Sequence, residues 1–210
     1  MGRVNPALTA AGAREWLQRF ATAVDEHAAE LTDLDRPIGD SDHGVNLQRG
    51  TRAVLAALEA ADPPTPGAAL TKAGSTLVST VGGASGPLFG TLLRRTGKAL
   101  GDSGSVDGAA LATGLRAGLD AVVALGGAQV GDATLVDALA PAVEALEAGG
   151  SAAEAAEAAE RGAASTDDLV ARKGRASYLG DRGTGHRDPG AVSIALLFAA
   201  LAGSGAGEGS

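Results

Sequence analysis

The chain has 210 residues, of which 45% are apolar and only 2% aromatic, and a formal net charge of −8. That length suits one domain with its own core, packed by Ala, Leu and Val, and the acidity argues against a nucleic-acid partner, whose phosphates need a basic surface. No apolar run reaches the roughly 18–20 residues of a membrane span, no basic segment leads into an apolar one as in a signal peptide, and no cysteine is present, so the expectation is a soluble cytoplasmic protein without a membrane partner.

Thr9 can cap a first helix running to about Leu31, where Trp16, Phe20 and Val24 recur every four residues. Next comes Leu34–Arg49, reading L-D-R-P-I-G-D-S-D-H-G-V-N-L-Q-R. Its aspartates Asp35, Asp40 and Asp42 cannot share one helix face, because Pro37, Gly39 and Gly44 interrupt helical continuity. A turn can instead aim three carboxylates at one centre, which suits a hard divalent cation such as Mg²⁺. Aspartates also serve as caps and turn formers, and that alternative stands beside the metal reading. An EF-hand is excluded, since Thr51 occupies the position of its closing Glu.

The apolar spacing then predicts a second helix from about Val45 to Ala61 and a third from about Gly67 to Val81, joined by a stiff stretch containing Pro63, Pro64 and Pro66. Gly82-Gly83-Ala84-Ser85-Gly86-Pro87 leads into a fourth helix ending near Leu100, with Pro87 in its first turn. Exposed N–H groups and the helix dipole make this entry an anion site, or a plain helix–helix turn. Asp107 is placed to cap a fifth helix carrying Leu111, Leu115, Leu119 and Val122, and Gly126, Gly127 and Gly131 end it. Asp132 is read as the cap of a sixth, which Pro141 should kink or interrupt. Ser151-Ala152-Ala153-Glu154 is a capping box opening a seventh helix to about Ala171.

Arg172 to Pro189 form a long polar loop in which Arg175 and Arg182 can meet phosphate or simply face solvent. An eighth helix, about Gly190 to Leu201, is almost wholly apolar and should lie centrally. Residues 1–202 thus form one all-α domain, a bundle or barrel of about eight antiparallel helices without a convincing strand, and residues 203–210 a disordered Gly/Ser tail. His43 and His186 receive no catalytic role from spacing alone.

Three stretches carry a resemblance: L-D-R-P-I-G-D-S-D-H-G, V-G-G-A-S-G-P-L-F-G and G-R-A-S-Y-L-G-D-R-G-T-G-H-R-D-P-G-A-V-S. In this order they resemble the nucleotide-binding L subunit of bacterial dihydroxyacetone kinase, a barrel of eight antiparallel helices. The resemblance implies that residues 1–202 bind ADP or ATP, with Asp35, Asp40 and Asp42 holding two Mg²⁺ ions. It further implies that His43, Gly44, Val45 and Asn46 continue the nucleotide site and that Ala84 and Ser85 meet phosphate. Gly126 or Gly127, with Thr134 or Leu135, would line the base, while Arg175 and Asp188-Pro189-Gly190 close over the nucleotide. No residue is assigned a catalytic role, and Ser41 receives no role at all.

Such a phosphotransferase works with a dihydroxyacetone-binding K subunit, for which eight helices and a tail leave no residues. Stand-alone L subunits of this size resemble the phosphotransferase-system form, in which a phosphohistidine of an M subunit rephosphorylates bound ADP in place. An ATP-exchanging kinase subunit and a fatty-acid-kinase-like or regulatory domain are the alternatives. Pairing as a homodimer is also allowed.

Overall fold

The computed structural model describes residues 7–204. The described elements run β1 (Leu8–Thr9), α1 (Ala10–Asp35), α2 (His43–Ala61), α3 (Pro66–Thr80), α4 (Ser85–Leu100), β2 (Ser105–Val106), α5 (Gly108–Gly126), α6 (Leu135–Glu147), α7 (Ala152–Ser165) and α8 (Pro189–Gly203). Each helix packs on the next, and α8 returns to pack on α1. The ring is closed, and its neighbours run antiparallel. Trp16 seals the seam: its buried indole Nε1 donates to the Leu197 carbonyl at 2.8 Å. Inside the ring Phe20 of α1 stacks on Phe89 of α4, with centroids 6.4 Å apart.

Small residues allow the close approach that a chain poor in aromatics needs. A Cβ on Gly74 of α3 would come within 2.5 Å of the Gly90 carbonyl of α4, so neither helix can carry a side chain there. The apolar α8 lies against α1, α6 and α7, in line with its expected central place. By length and composition α5 could cross a membrane, although Arg116 and Asp120 interrupt its apolar run. In the barrel Leu111, Leu115, Leu119 and Val122 of this helix are buried, and it packs on α4 and α6.

Several boundaries differ from the expected ones. Helix α1 continues to Asp35, because Pro37 is the first residue able to break it. Helix α6 is capped by Thr134, whose side chain and that of Asp137 form a capping box; Asp132 instead accepts from Gln129 N at 2.9 Å. Helix α6 also runs through Pro141. The carbonyl that proline leaves without its helical donor, that of Asp137, faces Gly162, where a Cβ would sit 2.1 Å away.

Helix α7 stops at Ser165, well before Ala171. Ser165 and Thr166 donate their hydroxyls to the Gly162 and Ala163 carbonyls, and a 3₁₀ turn, Thr166–Asp168, follows. The two-residue strands β1 and β2 pair antiparallel, Leu8 opposite Val106 and Thr9 opposite Ser105, where no strand was expected. Gly203 still belongs to α8 and Ser204 caps it; the rest of the expected tail, 205–210, lies outside the described residues.

Candidate functional site

In a closed ring of antiparallel helices, alternate connections collect at the same end. The α1–α2, α3–α4, α5–α6 and α7–α8 connections surround a cleft of about 390 Å³. Helices α2, α4, α6 and α8 therefore all begin there, turning four positive dipole ends toward one space. Two of these starts satisfy themselves: Thr134 and Asp137 cap α6, and Asp188 Oδ2 accepts from Ala191 N at 2.7 Å on α8. At α4, whose N-cap is Ala84, no side chain of the described residues caps the first turn. This start follows Gly83, which at φ 67° turns the chain through the left-handed region. An anion can take the place of the missing cap.

Beside it, at the α1–α2 connection, Asp35, Asp40 and Asp42 each offer an oxygen, all within 4.8 Å of one another. Asp35, buried at the last turn of α1, organises the group: its Oδ2 accepts from the backbone N–H groups of Asp42 at 2.9 Å and His43 at 3.3 Å. Gly39 folds back over it, where a Cβ would lie 1.9 Å from Asp35 Oδ1. Ser41 sits at φ 62°, an unfavourable conformation for a non-glycine residue, and this turn lets Asp40 and Asp42 both face Asp35.

Burial raises the Asp42 pKa; the Asn46 amide opposes this, while the charges of Asp40 and Asp35 add to the rise. Arg175 Nη1 meets Asp40 Oδ2 at 2.5 Å, one positive charge against three carboxylates. Three oxygen donors lacking most of their counter-charge fit a hard divalent cation.

His43 is buried between hydroxyls, with Nε2 2.8 Å from Ser193 Oγ and Nδ1 3.0 Å from Ser85 Oγ. Desolvation lowers its pKa to about 4 against the pull of Asp35, so the ring is neutral at pH 7. Asp188 moves the other way, to about 7: burial raises it, the Ala191 N–H opposes, Asp137 and Asp35 add, and the Gly190 N–H opposes.

The cleft lining contains Asp35, Asp40, Asp42, His43, Ala84, Ser85, Gly126, Thr134, Leu135, Arg175 and Asp188-Pro189-Gly190. It does not contain Gly44, Val45 or Asn46. Gly44 packs α2 onto α1, since its Cβ would meet the Ala28 carbonyl at 2.0 Å, and Val45 points outward, 54% exposed. Asn46 stands behind the site, holding Asp42 and accepting from Arg49 Nη2 at 2.8 Å; Arg49 also donates to the Thr80 carbonyl. Sequence reasoning missed Lys173, which lines the cleft, and the apolar wall of Leu88, Val122 and Leu125. Lys173 adjoins Arg175 in the loop, and this nearness was its only signal. The wall residues come from helix faces that periodicity marks simply as core.

Residues 37–203 match the model of the DAK2 domain. The chain belongs to the DAK2 family. It is 43% identical over 189 residues to the "PEP-dependent dihydroxyacetone kinase 1, ADP-binding subunit DhaL" of Listeria innocua, covering 90% of this chain and 93% of that one. The corresponding Escherichia coli subunit is 43% identical over 201 residues, again with 93% of its length covered. Among solved structures, the dihydroxyacetone kinase from C. freundii in complex with AMP-PNP and Mg²⁺ superposes with a TM-score of 0.72 at 26% identity. That match takes in 97% of this DAK2 chain and 35% of the solved one, so this chain spans about a third of that kinase. The barrel expected from the resemblance is thus the fold found, in a family of kinase subunits and kinase domains.

Proposed function

We propose that this chain is the ADP-binding subunit of a dihydroxyacetone kinase, a cytoplasmic phosphotransferase component carrying ADP or ATP with two Mg²⁺ ions in its cleft. A separate K subunit would present dihydroxyacetone, and a phosphohistidine of an M subunit would rephosphorylate the nucleotide in place. One observation carries the reading. Three convergent carboxylates share one cleft with an uncapped helix start, so cations and a polyphosphate can be held together by an acidic protein. The similarity to named ADP-binding subunits over 93% of their length supports it.

In this reading Asp35, Asp40 and Asp42 hold the cations, and the backbone N–H groups at the start of α4 hold phosphate. Leu88, Val122, Leu125 and Leu135 line the base side, and Arg175 turns from Asp40 toward phosphate. Mg²⁺ would supply charge neutralisation at the phosphates, the main requirement of a loose phosphoryl-transfer transition state. The protein's own part is to position groups and exclude water. An ATP-exchanging subunit is the second reading, favoured by the AMP-PNP in the C. freundii kinase.

Native mass spectrometry of the purified chain tests both: co-purified ADP with Mg²⁺ supports in-place rephosphorylation, and an empty chain that binds and releases ATP supports exchange. Failure to bind either nucleotide with Mg²⁺ would remove both readings.

A further inference from the structure

Ser193 lies in the first turns of α8, with 0% of its surface exposed, and nothing in the proposed transfer uses it. Its Oγ is 2.9 Å from the Pro189 carbonyl and 2.8 Å from His43 Nε2. Two oxygens 2.9 Å apart need a proton between them, or their lone pairs collide. The only proton available is the serine's own, since a carbonyl has none. Once it is committed to Pro189, Ser193 Oγ can only accept from His43, which puts a hydrogen on Nε2. The other ring nitrogen then carries a lone pair, and the Ser85 hydroxyl, 3.0 Å away, donates to it. Every group in the chain Ser85, His43, Ser193, Pro189 is satisfied, with all hydrogen bonds pointing one way.

We propose that Ser193 is a positioning residue: it fixes the His43 tautomer with hydrogen on Nε2, which turns the Ser85 hydroxyl away from the cleft. Ser85 Oγ then presents only lone pairs to the space that Asp35, Asp40 and Asp42 also line. Its side chain serves a cation, a water on a cation, or another donor, and phosphate is left to the backbone N–H groups of α4. The opposite tautomer would aim the Ser85 proton into the cleft, against a cation. The consequence for binding rests on the function proposed above, whereas the tautomer does not.

The chain has three histidines, so imidazole ¹⁵N spectra of the intact protein at neutral pH can be assigned by replacing His27 and His186 in turn. The parent should show His43 protonated at Nε2 and bare at Nδ1, and Ser193→Ala should move it toward the Nδ1-protonated form while His27 and His186 stay in place. A parent ring protonated at Nδ1 alone, or a His43 spectrum unchanged by Ser193→Ala, overturns the proposal. Should the alanine variant misfold, the parent spectrum still decides the tautomer, and Ser193→Cys supplies a weaker donor of similar size.

Calorimetric titration then tests the consequence. Ser193→Ala should weaken Mg²⁺–ADP binding about fivefold, the factor one net hydrogen bond is worth, and leave metal-free ADP binding unchanged. In a Ser85→Ala background that loss should disappear, because the coupling runs through Ser85. Equal losses with and without Mg²⁺, or additive losses in the double variant, would mean that Ser193 merely packs α8. If the parent binds no Mg²⁺–ADP, the proposed function fails, and the spectra still settle the tautomer.

Discussion

Replacing Arg175 by Ala separates the work this residue does for the fold from the work it does for the ligand. Among the described residues its ion pair is with Asp40, and the two side chains are 62% and 40% exposed. A pair that open contributes at most about 1 kcal/mol after screening and side-chain entropy. A chain of this size shifts its Tm by about 2–4 °C per kcal/mol. Apo Arg175→Ala should therefore melt within roughly 4 °C of the parent.

Ligand changes the comparison. At 100 times Kd, Mg²⁺–ADP should stabilise the parent by about 2.7 kcal/mol, or roughly 5–11 °C. If Arg175 moves onto phosphate, one charge-assisted contact is worth about tenfold in Kd, or about 1.4 kcal/mol. At the same ligand concentration the variant should then keep only half the shift, roughly 3–6 °C. Differential scanning calorimetry with and without Mg²⁺–ADP measures both quantities. A variant that melts far lower when apo, or that keeps the parental ligand shift, would show that Arg175 belongs to the fold and not to the nucleotide.

Asp42→Ala should abolish transfer to dihydroxyacetone in the presence of a K subunit. It should leave the apo melting temperature equal or slightly higher, because a carboxylate repelled by Asp40 and Asp35 is removed; parental turnover would contradict the metal assignment. Asp188 titrates near 7 in the folded chain against 3.8 as a free group, so the folded state holds the extra proton between these values and stability falls as pH rises through that window. Apo Asp188→Asn should escape this loss, its melting temperature gaining on the parent from pH 4 to pH 7; parallel curves would refute the shift. Trypsin should cut the loop between Arg172 and Arg187 quickly in metal-stripped protein and slowly with Mg²⁺–ADP, and equal rates would deny that the loop closes over ligand.

Much of the helical frame was legible because its signals are local. Thr9, Asp107 and the Ser151–Glu154 box cap the helices they were expected to cap, each through a bond spanning three residues. Errors arose where two local signals compete. Asp132 looks like a cap, but Thr134 lies two residues on with Asp137 in reach, and the box prevails. The β1–β2 pairing joins residues nearly a hundred positions apart with two residues a side, too little for any pattern to register.

The same division holds at the cleft. Asp35, Asp40 and Asp42 stood out because they crowd one short turn. That the turn depends on Gly39 lying over Asp35, and on Ser41 accepting a left-handed backbone, is a matter of contact and not of composition. The spacing likewise says nothing of Ser193, 150 positions from the imidazole it meets.

The parity of the ring has one more consequence. Because α1 runs toward the cleft and α8 away from it, the finish of α8 lies beside the first half of α1 on the side away from the cleft, where a Cβ on Gly203 would lie 3.2 Å from Arg19 Nη1. The α2–α3, α4–α5 and α6–α7 connections and the β1–β2 pair occupy that end too. The described ends of the chain, near Leu8 and Ser204, thus lie away from the cleft. The same helical unit is matched over 93% of a chain in Listeria innocua and over about a third of a longer one in C. freundii.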